Sequence, residues 1–137
     1  LLASAQLWRS KTPLAKVADV KKLDQAITQL PKELRAGPLH VVAQMKRRLD
    51  MHEEAVLTWM QIPITYPAQY HLASEATYAS VGELITMAQY DEALTLCKEL
   101  ATHYGDTTAG TQAERLESNI HSRIKARNAI KMEGDSS

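Results

Sequence analysis

Side chains that could take part in chemistry are few and widely spaced in this sequence. Its five histidines stand at positions 40, 52, 71, 103 and 121, and no two are three or four residues apart, as paired metal ligands on one helix face are. His71 and Glu75 lie four residues apart and would share a helix face. One imidazole and one carboxylate do not complete a metal site without further ligands, so we expect neither a metal ion nor another cofactor.

The single cysteine is the second candidate for chemistry. Cys97 falls on the apolar stripe of a predicted helix, where an unpaired cysteine usually packs as a small hydrophobic residue. A catalytic thiolate needs an exposed setting that lowers its pKa, and His103 lies on another part of the same helix. The sequence also contains no P-loop, no GxGxxG and no GxSxG. We therefore predict that the protein is not an enzyme.

Aromatic side chains could instead stack on nucleic-acid bases. The candidates are Trp59, Tyr66, Tyr70, Tyr78, Tyr90 and Tyr104. Most of them fall at helix-packing positions, and the basic run Lys46-Arg47-Arg48 fits a solvated helix face. Sixteen basic residues balance sixteen acidic ones, whereas proteins that neutralise phosphates carry a basic excess. We expect no nucleic-acid partner.

The composition indicates which elements must position these side chains. Hydrophobic residues make up 45% of the 137 residues, enough for one packed domain. Phe is absent, and the helix-favouring residues Ala, Leu, Gln, Glu, Lys and Met are plentiful. Few segments alternate in polarity with a period of two, as strands do. We predict an all-α fold, and the lack of any apolar run of about 18 to 20 residues indicates that the chain does not span a membrane.

A short pattern repeats along the chain. Residues 52–56 (HEEAV) and 90–94 (YDEAL) share it, and residues 23–27 (LDQAI) are a weaker copy. Acids in the first turn suit the positive end of the helix dipole. Each copy then has a small residue that lets a neighbouring helix approach closely: Ala26, Ala55 or Ala93. Twelve residues beyond each alanine comes a residue that ends helices: Pro38, Pro67 or Gly105.

Helical segments also precede each copy, so the pattern predicts antiparallel helical hairpins and a final helix. We place these elements at about residues 13–37, 38–67, 71–105 and 111–131. The last helix has a polar outer face, as the capping helix of a repeat array does. One repeat domain therefore covers residues 1–131, in which Thr12 and Pro13 could start a helix and Leu1–Arg9 could form a short one. Residues 132–137 are predicted to be a disordered tail.

Helix pairs of about 34 residues, with a small residue early in the second helix and proline at its end, resemble tetratricopeptide repeats. The pair with Ala55, Trp59 and Pro67 matches this family best. The resemblance implies a short right-handed solenoid of stacked hairpins that acts as a non-catalytic interaction scaffold. A peptide or helix of a partner protein would bind in a concave groove lined by the first helices. The positions implied to face that groove are His40, Gln44, Arg47, Glu75, Tyr78 and Ile85.

Residues 79–120 are similar to repeats of bacterial cell-envelope proteins, which often contain a Tyr-Asp-Glu-Ala helix followed by Tyr-Pro. Here Tyr90–Ala93 is the counterpart of that helix. This similarity favours the periplasm or cell envelope over the cytoplasm. The sequence starts at Leu1 rather than Met, which keeps a second interpretation open: an accessory or oligomerisation domain cut from a larger protein. The sequence does not indicate an oligomeric state.

Circular dichroism tests the fold class. The far-UV spectrum should report mainly helix and negligible sheet, because the repeat pattern contains helices only. A strand content above about a fifth, the average for soluble domains, would contradict the all-α prediction.

Overall fold

The computed structural model describes residues 17–135, and every regular element in this range is helical. Short 3-10 turns occur at Lys32–Leu34 and Gly110–Gln112. The α-helices, in chain order, are residues 17–29 (α1), Ala36–Arg48 (α2), His52–Thr65 (α3), Tyr70–Thr86 (α4), Tyr90–Tyr104 (α5) and Ala113–Asp135 (α6). The all-α prediction is therefore confirmed for this part of the chain.

The span predicted as the first hairpin, residues 13–37, contains one described α-helix rather than a pair. α1 ends just before Pro31, whose ring and missing N–H cannot continue a helix. Pro38, predicted to end a helix, instead lies in the first turn of α2, where proline is tolerated because the N–H groups there have no helical partner. The other predicted N-terminal elements lie outside the described residues: the helix start at Thr12 and Pro13, and the short helix at Leu1–Arg9.

The next two helix pairs turn in the same way. α2 and α3 fall on the predicted pair at 38–67, and α4 and α5 fall on the pair at 71–105. The second residue after each first helix adopts a left-handed conformation, with φ 60° at Asp50 and 58° at Ala88. The next amide in each turn donates to the carbonyl five residues earlier, over 2.9 Å in both. This Schellman geometry satisfies the last carbonyls of the helix and reverses the chain within a short turn.

Consecutive helices pack against each other, and so do some helices that are two apart in the chain. Each helix from α2 to α6 contacts the next one along the chain, and in addition α2 contacts α4 and α4 contacts α6. A first core cluster surrounds Trp59 and Ile62, with members from α1 to α4. A second surrounds Leu100 and Ile120, with members from α4 to α6. α4 belongs to both clusters and therefore joins the two halves of the core. α6 continues to Asp135, into the predicted tail.

The repeated alanine lies where helices approach most closely. Ala55 and Ala93 have no solvent exposure and belong to the first and second cluster respectively, so their predicted burial is confirmed. A methyl side chain lets two helix backbones approach more closely than a larger residue would. Ala26, in the weaker copy on α1, is exposed.

A buried lysine links the first helices. The sequence suggests that the Lys46 stem lies on apolar surface with its ammonium group in solvent, but the residue is only 7% exposed. Its Nζ donates to Thr58 Oγ1 over 2.8 Å and lies 2.9 Å from Asp24 Oδ2. One ammonium group therefore connects α1, α2 and α3. A buried charge is tolerable only when it is paired and hydrogen-bonded in this way.

A second polar link joins α3 to α4. The His52 ring is hydrogen-bonded through Nδ1 to the nearly buried Glu83 carboxylate, and Asp50 Oδ1 lies 3.6 Å from the other ring nitrogen. Because Lys46 and Glu83 both have partners, neither leaves an unpaired charge in the core. Throughout residues 17–135, no fully buried side-chain nitrogen or oxygen lacks a hydrogen-bond partner.

The loop between α5 and α6 is fixed by close contacts. The Tyr70 hydroxyl donates to Asp106 Oδ1 over 2.5 Å and lies 2.8 Å from the His103 carbonyl oxygen. The hydrogen bond to Asp106 raises the pKa of Tyr70 above its ordinary value. A Cβ atom on Gly110 would lie 1.6 Å from the Tyr104 carbonyl oxygen. Only glycine therefore fits at the bend that leads into α6.

Overpacking tests the packing of the repeated alanine. Ala93→Leu should lower the free energy of unfolding by about 1–3 kcal/mol, because a larger side chain forces α5 away from its neighbours. Ala101→Leu is the matched control, since Ala101 is exposed on the same helix, and it should change stability by no more than about 0.5 kcal/mol. Urea unfolding followed by circular dichroism measures both. Equal stabilities for the two variants would show that the packing position is wrong.

Candidate protein-binding face

The α2 part of the predicted groove is organised around one buried indole. Trp59 of α3 has no solvent exposure, and its Nε1–H donates to His40 Nδ1 over 3.0 Å. An indole can only donate, so His40 accepts at Nδ1 and, as a neutral ring, carries its proton on Nε2. Gln44 Nε2 lies 3.3 Å from His40 Nε2. With the proton on that ring nitrogen, the pair forms a hydrogen bond when the Gln44 amide is turned so that its oxygen accepts. The contacts fix the orientations of both His40 and Gln44.

Arg47 lies one helical turn further along the same face of α2. Its guanidinium carbon is 5.6 Å from the centroid of the Trp59 ring, within the range of a cation–π contact. Arg47 is exposed, and no carboxylate among residues 17–135 forms an ion pair with it. The guanidinium is therefore held in place on one side while its donors remain open to a ligand.

The α4 part of the face is an exposed stripe. Glu75 and Tyr78 are three residues apart and both are exposed, with 39% of Tyr78 accessible. Because α2 and α4 are in contact, their exposed sides are neighbours. Ile85, the last predicted position, is half-buried and packs against the second core cluster. It therefore borders this stripe and also takes part in the core.

The six predicted residues thus fall into three groups. His40, Gln44 and Arg47 form one arrangement around Trp59, and Glu75 and Tyr78 form a second on the next helix. Ile85 borders the second group and packs against the second core cluster. Sequence periodicity found the helix faces, but it treated Trp59 only as a packing residue. Its position nineteen residues from His40 gave no signal that the two side chains meet.

A different apolar surface lies on α3 and α5, and the sequence analysis did not single it out. Val56, Met60, Leu84 and Leu96 line a groove between these helices, and its edge on α5 carries three acids: Asp91, Glu92 and Glu99. Two further apolar side chains on α3, Leu57 and Ile64, are 64% and 75% exposed. One sequence feature could have indicated this surface: α3 is apolar around most of its circumference. When such a helix has an exposed side, that side is expected to contact another protein or domain.

Cys97 is placed where a thiol is protected from reaction. It is fully buried in the second cluster, and its Sγ–H donates to the Ala113 carbonyl oxygen over 3.0 Å. Burial raises the pKa of the Cys97 thiol, and the negative charge of Glu117 raises it further. Both effects reduce the fraction of thiolate, which is the reactive form.

The remaining tests for a site concern metals and membranes. Within residues 17–135 there is no group of three or more His, Cys, Asp or Glu side chains that could hold a metal ion. His71 and Glu75 are both exposed on α4. None of the helices in this range combines the length and the apolar character needed to cross a bilayer.

Comparisons with known proteins identify no relative. No family model, no curated protein and no solved structure matches this chain. The resemblance to tetratricopeptide repeats therefore stays a prediction, and function is inferred below from the contacts and exposure of individual side chains.

Thiol labelling tests the placement of Cys97. A soluble disulfide reagent at pH 8 should react with the native protein at least about tenfold more slowly than with the urea-unfolded chain, because a buried Sγ is reached only when the helices open. The unfolded chain serves as its own control, since it contains the same single thiol. Equal rates in the two states would mean that Cys97 is accessible in the native fold.

Proposed function

We propose that this protein is a non-catalytic scaffold that binds a peptide or helix of another protein on the face formed by α2 and α4. Its architecture would be a short right-handed solenoid of the tetratricopeptide type. Support comes from the contact pattern, in which α2, α4 and α6 touch in succession while α3 and α5 each pack against the helices before and after them. That pattern is expected when hairpins stack so that their first helices share one layer.

The observation that carries the proposal is the pairing of an ordered arginine with an exposed aromatic side chain on adjacent helices. Arginine and tyrosine are the residues that most often dominate binding energies at protein interfaces. Arg47 is held against Trp59, so less conformational entropy is lost when it binds. Its free donors suit a carboxylate of the partner, and the exposed Tyr78 ring on α4 offers apolar surface.

The other predicted residues would add selectivity. The His40 and Gln44 side chains are fixed by hydrogen bonds, so they present polar groups in set directions. Glu75 places a negative charge on the α4 side, opposite in sign to Arg47 on α2. A ligand that carries an acid facing α2 and a basic or polar group facing α4 would match this face. The similarity to cell-envelope repeats favours the periplasm or cell envelope as the compartment where this binding takes place.

A second candidate function is an accessory or oligomerisation domain of a larger protein. Two observations favour it: the apolar groove between α3 and α5, with acids at its α5 edge, and the largely exposed Leu57 and Ile64 on α3. Apolar side chains clustered in this way mark contact surfaces. The two candidates use different helix faces, so variants on each face separate them.

Charge reversal and truncation on the α2–α4 face test the leading proposal. Against a partner isolated by affinity capture, Arg47→Glu and Tyr78→Ala should each weaken binding at least about tenfold in isothermal titration. Both should leave the melting temperature within about 4 °C of wild type, because the changed side chains are exposed and Arg47 loses only a cation–π contact.

Two controls make the result specific. Arg48→Glu reverses a charge at an exposed position on another side of α2, and Leu57→Ala truncates an exposed apolar residue on α3. Both should bind with wild-type affinity. If Leu57→Ala weakens binding and the two test variants do not, the partner occupies the α3–α5 surface and the second candidate is favoured.

A further inference from the structure

The C-terminal turns of α6 extend past the end of α5. Ile124 is the last α6 residue that packs against the second core cluster. The Arg127 guanidinium carbon lies 5.4 Å from the ring centroid of Tyr90, the first residue of α5. From position 125 to position 132 every residue of α6 is exposed. Because α6 runs antiparallel to α5, the turns that follow Arg127 lie beyond the level at which α5 begins.

This extension combines exposed apolar side chains with positive charge. Ile130 and Met132 are 71% and 72% exposed. Positions 118–132 contain no Asp or Glu, and they contain these Lys and Arg residues: Arg123, Lys125, Arg127 and Lys131. None of these basic side chains forms an ion pair within residues 17–135. A short helical segment without packed neighbours is only marginally stable in water, and apolar side chains exposed on it indicate a contact surface.

The groove between α3 and α5 has the opposite charge. Its apolar floor is edged on α5 by Asp91, Glu92 and Glu99. All three acids are exposed, and none of them forms an ion pair in the part of the chain that the structure describes. Glu92, Leu96 and Glu99 have the i, i+4, i+7 spacing of one helix face, so two of the acids flank an apolar position. An occupant that combines apolar side chains with positive charge would complement this groove.

The two surfaces meet at the first turn of α5. Tyr90 lines a shallow cleft together with Arg123, Arg127 and Ile130 of α6. Asp91 and Glu92, which follow Tyr90 in the sequence, line the groove on the side of α3. A basic apolar surface therefore adjoins an acidic apolar groove. A two-fold contact between identical chains requires a self-complementary surface of this kind.

We propose that two copies of this chain associate by exchanging the C-terminal turns of α6, so that residues 125–132 of each copy lie in the acid-edged groove between α3 and α5 of the other. Ile130 and Met132 cover the apolar floor of the groove, and Lys125 and Lys131 lie against its acids. This inference rests on the second candidate function and names what occupies the α3–α5 groove. It does not depend on partner binding at the α2–α4 face.

Sedimentation equilibrium of the full chain tests the association itself. Wild type should form a dimer whose population rises with protein concentration. Raising the NaCl concentration from about 0.05 M to about 0.5 M should raise the dissociation constant at least about threefold, because salt screens exposed charges. A monomer at every concentration would overturn the proposal.

Charge reversal on each side tests the exchange. An α6 variant carries Lys125→Glu and Lys131→Glu, and a groove variant carries Glu92→Lys and Glu99→Lys. Each variant alone should dissociate at least about tenfold more readily than wild type, because like charges then meet at both contacts. An equimolar mixture should recover the dimer, since the basic α6 of the groove variant meets an acidic groove and the acidic α6 of the other variant meets a basic one. No recovery on mixing would contradict the exchange.

Matched controls separate this contact from net charge. Glu33→Lys with Glu114→Lys changes the net charge as the groove variant does, and Lys22→Glu with Lys98→Glu changes it as the α6 variant does. All four control positions are exposed and lie outside the lining of the groove. Both controls should dimerise like wild type, with folding of every variant checked by thermal melting. Controls that dissociate as readily as the test variants would sink the proposal.

Apolar truncation identifies the occupant of the groove. Ile130→Ser should raise the dissociation constant at least about fivefold, whereas Leu34→Ser, at a position 61% exposed on the turn before α2, should not change it. Met60→Ser, on the floor of the groove, should weaken the dimer as Ile130→Ser does. A dimer that is lost with Met60→Ser but kept with Ile130→Ser would overturn the exchange. The second candidate function would then still stand, with a different occupant in the groove.

Discussion

The close approach of neighbouring helices at small side chains is the constraint on which the rest of this structure depends. Ala55 and Ala93 have no exposure, and Ala73 and Ala76 on α4 are equally buried. Because these side chains are short, α4 can pack against the helices on both sides of it and belong to both core clusters. A larger residue at any of these positions would separate helices that several other contacts require to be near.

Close packing also accounts for the polar groups in the interior. A lysine and a glutamate are costly to bury unless partners are within hydrogen-bond distance. Lys46 reaches both Thr58 and Asp24, and Glu83 is hydrogen-bonded to His52, so each charge links helices that follow one another in the chain. Such pairs add geometric selectivity, since a shift of one helix relative to the next would leave a buried charge without its partner.

The same rigidity supports the proposal of a binding site on the α2–α4 face. A ligand gains most when the groups it contacts are already ordered, and His40 and Arg47 are ordered through Trp59, which lies in the core. Binding residues supported by a buried indole keep their geometry without help from the ligand.

Sequence periodicity by itself determined the helices α2 to α6, the pairing of α2 with α3 and of α4 with α5, and the burial of Ala55 and Ala93, because these features follow from local spacing of 3.6 residues per turn. It also placed Arg47, Glu75 and Tyr78 on exposed helix faces. It could not determine which side chains meet across helices, such as Trp59 with His40 or Lys46 with Asp24. Nor could it show the open groove beside Ala26, between α1 and α2. A helical pattern fixes the direction in which a residue points relative to its own axis. Only the tertiary structure fixes which neighbouring helix stands there and how deeply that residue is buried.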